Sequence, residues 1–160
     1  MYAECTLPGC ENDEEVTVEC QGCHRAYYCS MECKHDDWPA HIVFCAPEPQ
    51  VDPIYFLYCA CVHDFVPGHE RTRRWFKFDR AALMNKEHEL LELYRAIFDL
   101  RPGVRTVDAV NKWQEDEVLV PKIREFFHKY LRNPGSNRSY RWFMRNQWVL
   151  DETLPIPNQS

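Results

Sequence analysis

From about residue 80 onward, apolar side chains return at the three- and four-residue intervals of an α-helix. Leu83, Leu90, Leu91, Tyr94, Ile97 and Phe98 form one such stripe, with Asp79 as its expected cap and Arg101-Pro102-Gly103 as its stop. A shorter amphipathic piece covers 104–114. Ile123, Phe126, Phe127, Tyr130 and Leu131 form a third stripe, with Pro121 early in it and Asn133-Pro-Gly-Ser136 closing it. The aromatics of this stripe read as core. The segments 54–62 and 75–78 are rich in aromatic and apolar residues, and periodicity does not separate strand from buried helix there.

The first 45 residues follow another rule. Val16-Thr-Val-Glu19 alternates like a short strand, Ala26-Tyr-Tyr-Cys29 supplies a hairpin partner, and Gly22 falls in the turn between them. Ser30 is a good N-cap for a helical turn that would bring Cys29 and Cys33 together. A second short helix is expected over 37–44, with Pro39 in its first turn. Three prolines between residues 46 and 53 make a stiff connector. The expected organisation is therefore a small finger at 1–46, a Pro-rich connector at 47–53, a mainly α-helical region at 54–150 and a flexible tail at 151–160.

So short an N-terminal module cannot bury an adequate core without a staple. Its cysteines supply one. Cys5, Cys10, Cys20, Cys23, Cys29, Cys33, His41 and Cys45 read C-x4-C, C-x2-C, C-x3-C and H-x3-C. Eight soft ligands in four close pairs suffice for two tetrahedral zinc ions with no open coordination position. Gly9 and Gly22 provide the turns that two of the pairs need. Spacing leaves two pairings open. Sequential pairing joins Cys5, Cys10, Cys20 and Cys23, then Cys29, Cys33, His41 and Cys45. Interleaved pairing joins Cys5, Cys10, Cys29 and Cys33, then Cys20, Cys23, His41 and Cys45, and closes longer loops. His24 and His35 flank ligand positions in an already complete set and read as surface residues. Cys59, Cys61 and His63 lack a fourth ligand nearby, so the two thiols read as buried and free.

Charge narrows the partners. The net charge is −6, but residues 1–50 carry ten acids against two bases, while 51–160 carry 17 bases against 15 acids. Seven thiolates and two zinc ions would take the first part from −8 to about −11, which repels a phosphate backbone. The finger is therefore expected to meet protein. In the second part, Arg71, Arg73, Arg74 and Lys77 interleave with Trp75 and Phe76, and Arg138, Arg141 and Arg145 with Tyr140 and Trp142. Such mixing either marks nucleic-acid binding or simply places aromatics in the core and arginines in water. No signal peptide and no apolar run of membrane-spanning length is visible, so an intracellular protein, cytoplasmic or nuclear, is expected. There is no Gly-rich phosphate loop, no G-x-S-x-G and no H-E-x-x-H, and the expectation is a non-enzyme.

Tyr28-Cys-Ser-x-x-Cys33, followed by Trp38-x-x-His41-x-x-x-Cys45, resembles the second half of the MYND-type zinc finger, and the two upstream cysteine pairs match its first half. RING fingers place their histidine in the middle ligand pairs, whereas here it is seventh of eight. HIT-type fingers share the ligand order, but Trp38 and Tyr-Cys-Ser favour MYND. The resemblance, confined to residues 5–45, implies a zinc-stabilised α+β finger with interleaved sites. It also implies a non-catalytic protein-interaction module that takes proline-containing peptides in transcriptional or chromatin assemblies, with positions 34 and 38 in the peptide surface. Lys34 stands where the family usually has Gln, and Ile42 where it usually has Lys. Some MYND fingers sit within SET-domain lysine methyltransferases, so a truncated relative of those enzymes is an alternative. A nucleic-acid-associated regulator using the basic-aromatic C-terminal part is another.

Overall fold

A computed structural model describes residues 5–7, 9–10, 15–20, 23–45 and 51–157. The cysteine-rich segment is built on a hairpin of β1 (Val18–Glu19) and β2 (Tyr27–Tyr28), antiparallel with Val18 opposite Tyr28. Thr17 N–H donates to the Tyr28 carbonyl and Cys20 N–H to the Ala26 carbonyl, extending the ladder at both ends. Thr6 N–H donates to the Tyr27 carbonyl at 2.7 Å, which lays the N-terminal segment along the hairpin. The expected turn at Gly22 and residues 46–50 of the connector lie outside the described residues.

The hairpin leads into α1 (Met31–Cys45), one helix where a turn and a separate short helix were expected. Pro39 lies inside it rather than opening a new helix. Proline forfeits one backbone bond there, and the cost is met because Pro39 is buried and His41 and Cys45 are held one turn apart on the same helix.

The remainder is helical: α2 (Pro53–His63), α3 (Glu70–Trp75), α4 (Phe78–Ala82), α5 (Glu87–Leu100), α6 (Val104–Glu115), α7 (Leu119–Tyr130) and α8 (Arg138–Arg145). The ambiguous 54–62 segment is α2. Pro53 opens it, a position where the missing N–H costs nothing. Ile54, Leu57, Cys59, Ala60 and Cys61 are buried and Tyr55, Phe56 and Tyr58 half-buried, so apolar side chains run round the helix and hide its period. The 75–78 segment is no strand. Trp75 ends α3, Phe78 opens α4, and Lys77 between them adopts a left-handed backbone with φ 72°. The expected cap Asp79 lies in the first turn of α4, and the chain breaks before α5 where Asn85 also turns left-handed. Leu83 falls in that break and is exposed, whereas Leu90, Leu91, Tyr94 and Ile97 are fully buried.

The helical core gathers around Phe76, Phe78 and Tyr94, whose rings meet at 5.8 and 5.9 Å centroid separation. Tyr94 OH donates to the Phe76 carbonyl at 3.0 Å, so its polar tip is satisfied in the dry interior. A separate small cluster of Cys20, Ala26 and Tyr28 forms the centre of the finger, and α1 packs against α2 and α6. Residues 151–154, placed in the tail by the sequence, are tied back. Lys77 Nζ pairs with Glu152 at 2.7 Å, and Arg80 donates to the Leu154 carbonyl. Among the described residues, no helix is long and apolar enough to cross a membrane.

Candidate metal centres

Each ligand is delivered by a local device. Gly9, with φ 78°, turns the chain so that Cys10 N–H meets the Leu7 carbonyl at 3.2 Å, bringing Cys10 back toward Cys5. Ser30 Oγ accepts from Cys33 N–H at 3.2 Å, the side-chain cap that starts α1. That first turn puts Cys29 Sγ 3.4 Å from Cys33 Sγ. Cys20 follows β1, and His41 and Cys45 face it from the last turns of α1.

The ligand atoms collect into two groups: Cys5, Cys10, Cys29 and Cys33, and Cys20, Cys23, His41 and Cys45, each within 4.8 Å. This is the interleaved pairing. A zinc–sulfur bond of about 2.3 Å at tetrahedral angles sets sulfurs about 3.8 Å apart, and a sulfur–imidazole edge at about 3.6 Å. The observed edges are 3.7 Å for Cys10–Cys29, 3.9 Å for Cys10–Cys33 and 3.6 Å for Cys20–Cys45, with Cys23 Sγ 3.5 Å from His41 Nε2. Both donor sets therefore fit zinc in type, number and size. With all four positions filled by protein, zinc here supplies a covalent-like crosslink and no reactive site.

The electrostatics agree. Hydrogen bonding to Cys33, burial and the neighbouring Cys10 push the Cys29 thiol up to about 12. Burial and Cys20 push Cys45 up to about 11. Cys29 and Cys45 therefore resist ionisation by themselves, and a divalent cation reverses that preference.

His24 and His35 are exposed and join neither group; His24 instead sits 3.6 Å from Glu19. Cys59 and Cys61 are buried, in neither group, with burial raising both thiols. Lys34 and Trp38 stand one turn apart on α1, both half-buried. The Trp38 ring centroid is 6.0 Å from that of His41. One structural residue went unrecognised in the sequence. Asp37 is buried and receives the Tyr28 hydroxyl, and nothing in its spacing distinguishes it from a surface acid.

The family model described as "MYND finger" matches residues 5–45, the segment that holds both donor sets. Residues 5–45 are a MYND finger. Over 38 residues, the chain is 40% identical to the "N-lysine methyltransferase SMYD2" of Homo sapiens and 42% identical to that of Gallus gallus. The matched stretch is 24% of this chain and only 9% of either relative. No solved structure matches the chain. A MYND finger is a zinc-binding module that mediates protein interaction, and the likeness to these relatives ends with the finger.

Proposed function

We propose that this protein is a non-catalytic adaptor whose MYND finger binds a proline-containing segment of a partner on the α1 surface carrying Lys34 and Trp38. Its setting is transcriptional or chromatin regulation, in the nucleus or cytoplasm. The observation that carries this reading is the placement of Trp38. Its indole is half-buried beside the ligand His41, so the second metal site fixes an aromatic plate at the surface. Lys34, one turn earlier, adds a cation beside that plate and favours a segment with a carboxylate near its prolines. The closed donor sets support the non-catalytic part, because neither leaves a coordination position for substrate. The methyltransferase name belongs to relatives that share only the finger.

The test is titration of labelled proline-containing peptides, with and without a flanking acid, into the zinc-loaded full chain. A tryptophan anchor contributes on the order of 2 kcal/mol, so Trp38→Ala should weaken binding at least tenfold while zinc content is kept. Equal binding by a zinc-replete Trp38→Ala protein, or no binding of any peptide, would overturn the site. Saturable binding of S-adenosylmethionine would overturn the non-catalytic part.

A further inference from the structure

The two basic-aromatic clusters of the sequence have different fates in the fold. The first is engaged within the fold except at Arg74, which is exposed. Arg73 is held by Asp79 at 3.0 Å and by Glu87 at 2.7 Å, Lys77 pairs with Glu152, and Arg71 lies over the Trp75 ring at 4.4 Å. The second is not. Arg138, Arg141 and Arg145 recur on α8 at helical spacing, all exposed, and among the described residues none has a carboxylate within ion-pair distance. Arg141 donates one guanidinium bond to the Gly135 carbonyl at 3.1 Å, which orients the fork.

This stripe lies in a strongly biased stretch. Residues 119–148 carry seven lysines or arginines and a single acid, Glu125, in a chain whose net charge is −6. The opposite face of α8 fixes its orientation. Tyr140 and Phe143 are buried, and Ser139 Oγ donates to the Glu92 carbonyl on α5. The arginines therefore face solvent by construction, with no acidic partner among the described residues.

We propose that the α8 stripe of Arg138, Arg141 and Arg145 is a second docking surface, for an acidic polypeptide segment. Two observations favour a peptide over nucleic acid. The aromatics that would stack on bases are withdrawn: Tyr140 is buried, Trp142 is half-buried against the core, and the Tyr130 ring is already covered by Arg101 at 4.9 Å. The finger, at about −11 with zinc, opposes a long polyanion, while a short acidic segment meets only the local field within a Debye length of about 10 Å. Guanidinium forks suit carboxylates because they bind them in bidentate fashion. The surface is independent of the finger's peptide site, and the two together would let one chain hold two partners.

The experiment is fluorescence anisotropy of a labelled oligo-glutamate peptide with the zinc-loaded full chain at low salt, with short single-stranded and duplex DNA as competitors. Binding is expected, weakened about tenfold in Arg138→Ala/Arg141→Ala/Arg145→Ala, since three exposed pairs act together. Arg105→Ala, an exposed arginine on α6, should leave it unchanged. Circular dichroism checks the triple variant. Should it misfold, the single variants Arg138→Gln and Arg145→Gln replace it, each expected to weaken binding about twofold. No binding by wild type, unchanged affinity in the folded variants, an equal loss in Arg105→Ala, or tighter binding of either DNA than of the peptide would overturn the proposal.

Discussion

The Tyr28 hydroxyl donates a 2.6 Å hydrogen bond to Asp37 Oδ2, and both residues are buried. Tyr28 ends the hairpin and Asp37 lies midway along α1, so this bond locks the strand layer to the helix that carries Cys33, His41 and Cys45. Tyr28 also meets the His41 ring edge-on at 6.5 Å. Burial, then the hydrogen bond and charge of Asp37, raise the Tyr28 phenol well above its ordinary value. Removing the hydroxyl would leave a buried carboxylate without its donor. Tyr28→Phe should therefore cost the finger about 1–3 kcal/mol. Chelator competition for zinc checks this: the variant should lose metal at lower chelator concentration than wild type. Identical competition curves would show that the bond is incidental.

Zinc removal should act on the finger and spare the rest. The hydrophobic cluster of Cys20, Ala26 and Tyr28 is separate from the helical core, and it is too small to hold a fold without metal. A structural zinc contributes on the order of 10 kcal/mol in small fingers, so Cys20→Ser should empty the second site and unfold residues 5–45. Because α1 leans on α2 and α6, some helix content will be lost with it. Elemental analysis should give two zinc ions per chain in wild type and at most one in Cys20→Ser, with most far-UV helical signal retained. Two zinc ions bound by Cys20→Ser would contradict the donor assignment.

Arg73 ties the α3–α4 region to α5. Its side chain donates to Asp79, to Glu87 and to the Pro67 carbonyl at 3.0 Å, and the acids raise its basicity, Glu87 most. The group is about one-fifth exposed, so the pairs are partly screened. Arg73→Met keeps the stem and removes the fork, and should destabilise the helical part by about 1–2 kcal/mol. A lowered urea midpoint at unchanged slope is the expected signature. An unchanged midpoint would mean that the network contributes nothing net.

The parts of this fold legible in the sequence are those set by local geometry. Ligand pairs were visible because a small tetrahedron tolerates few spacings, and α5, α6 and α7 because each buries one face. The pairing between Cys10 and Cys29 was not visible in spacing alone, since it depends on how the hairpin folds back. Pro39 looked like a helix start because proline belongs in first turns, and only burial and the metal ligands beyond it justify its place inside α1. Residues 54–62 had no period to read because α2 is buried on several sides. Lys77 ended a segment through a left-handed backbone that no glycine announced.

The nine thiols should separate into two classes. Seven are metal ligands, while Cys59 and Cys61 sit in the apolar wall of α2. Burial raises both α2 thiols above their ordinary value of 9.0, so the thiolate, the reactive form, is scarcer than in an exposed cysteine. A thiol whose folded pKa is raised contributes stability that is present below the unfolded pKa and lost as pH rises through the folded one. Near pH 8, below both values, the α2 thiols should thus stay protonated and unreactive while the helical part is folded. Titration with an aromatic disulfide should find almost no fast thiols in zinc-loaded protein and all nine in denaturant. Fast reaction of Cys59 or Cys61 while the zinc-loaded protein is folded would place them at the surface and refute their burial.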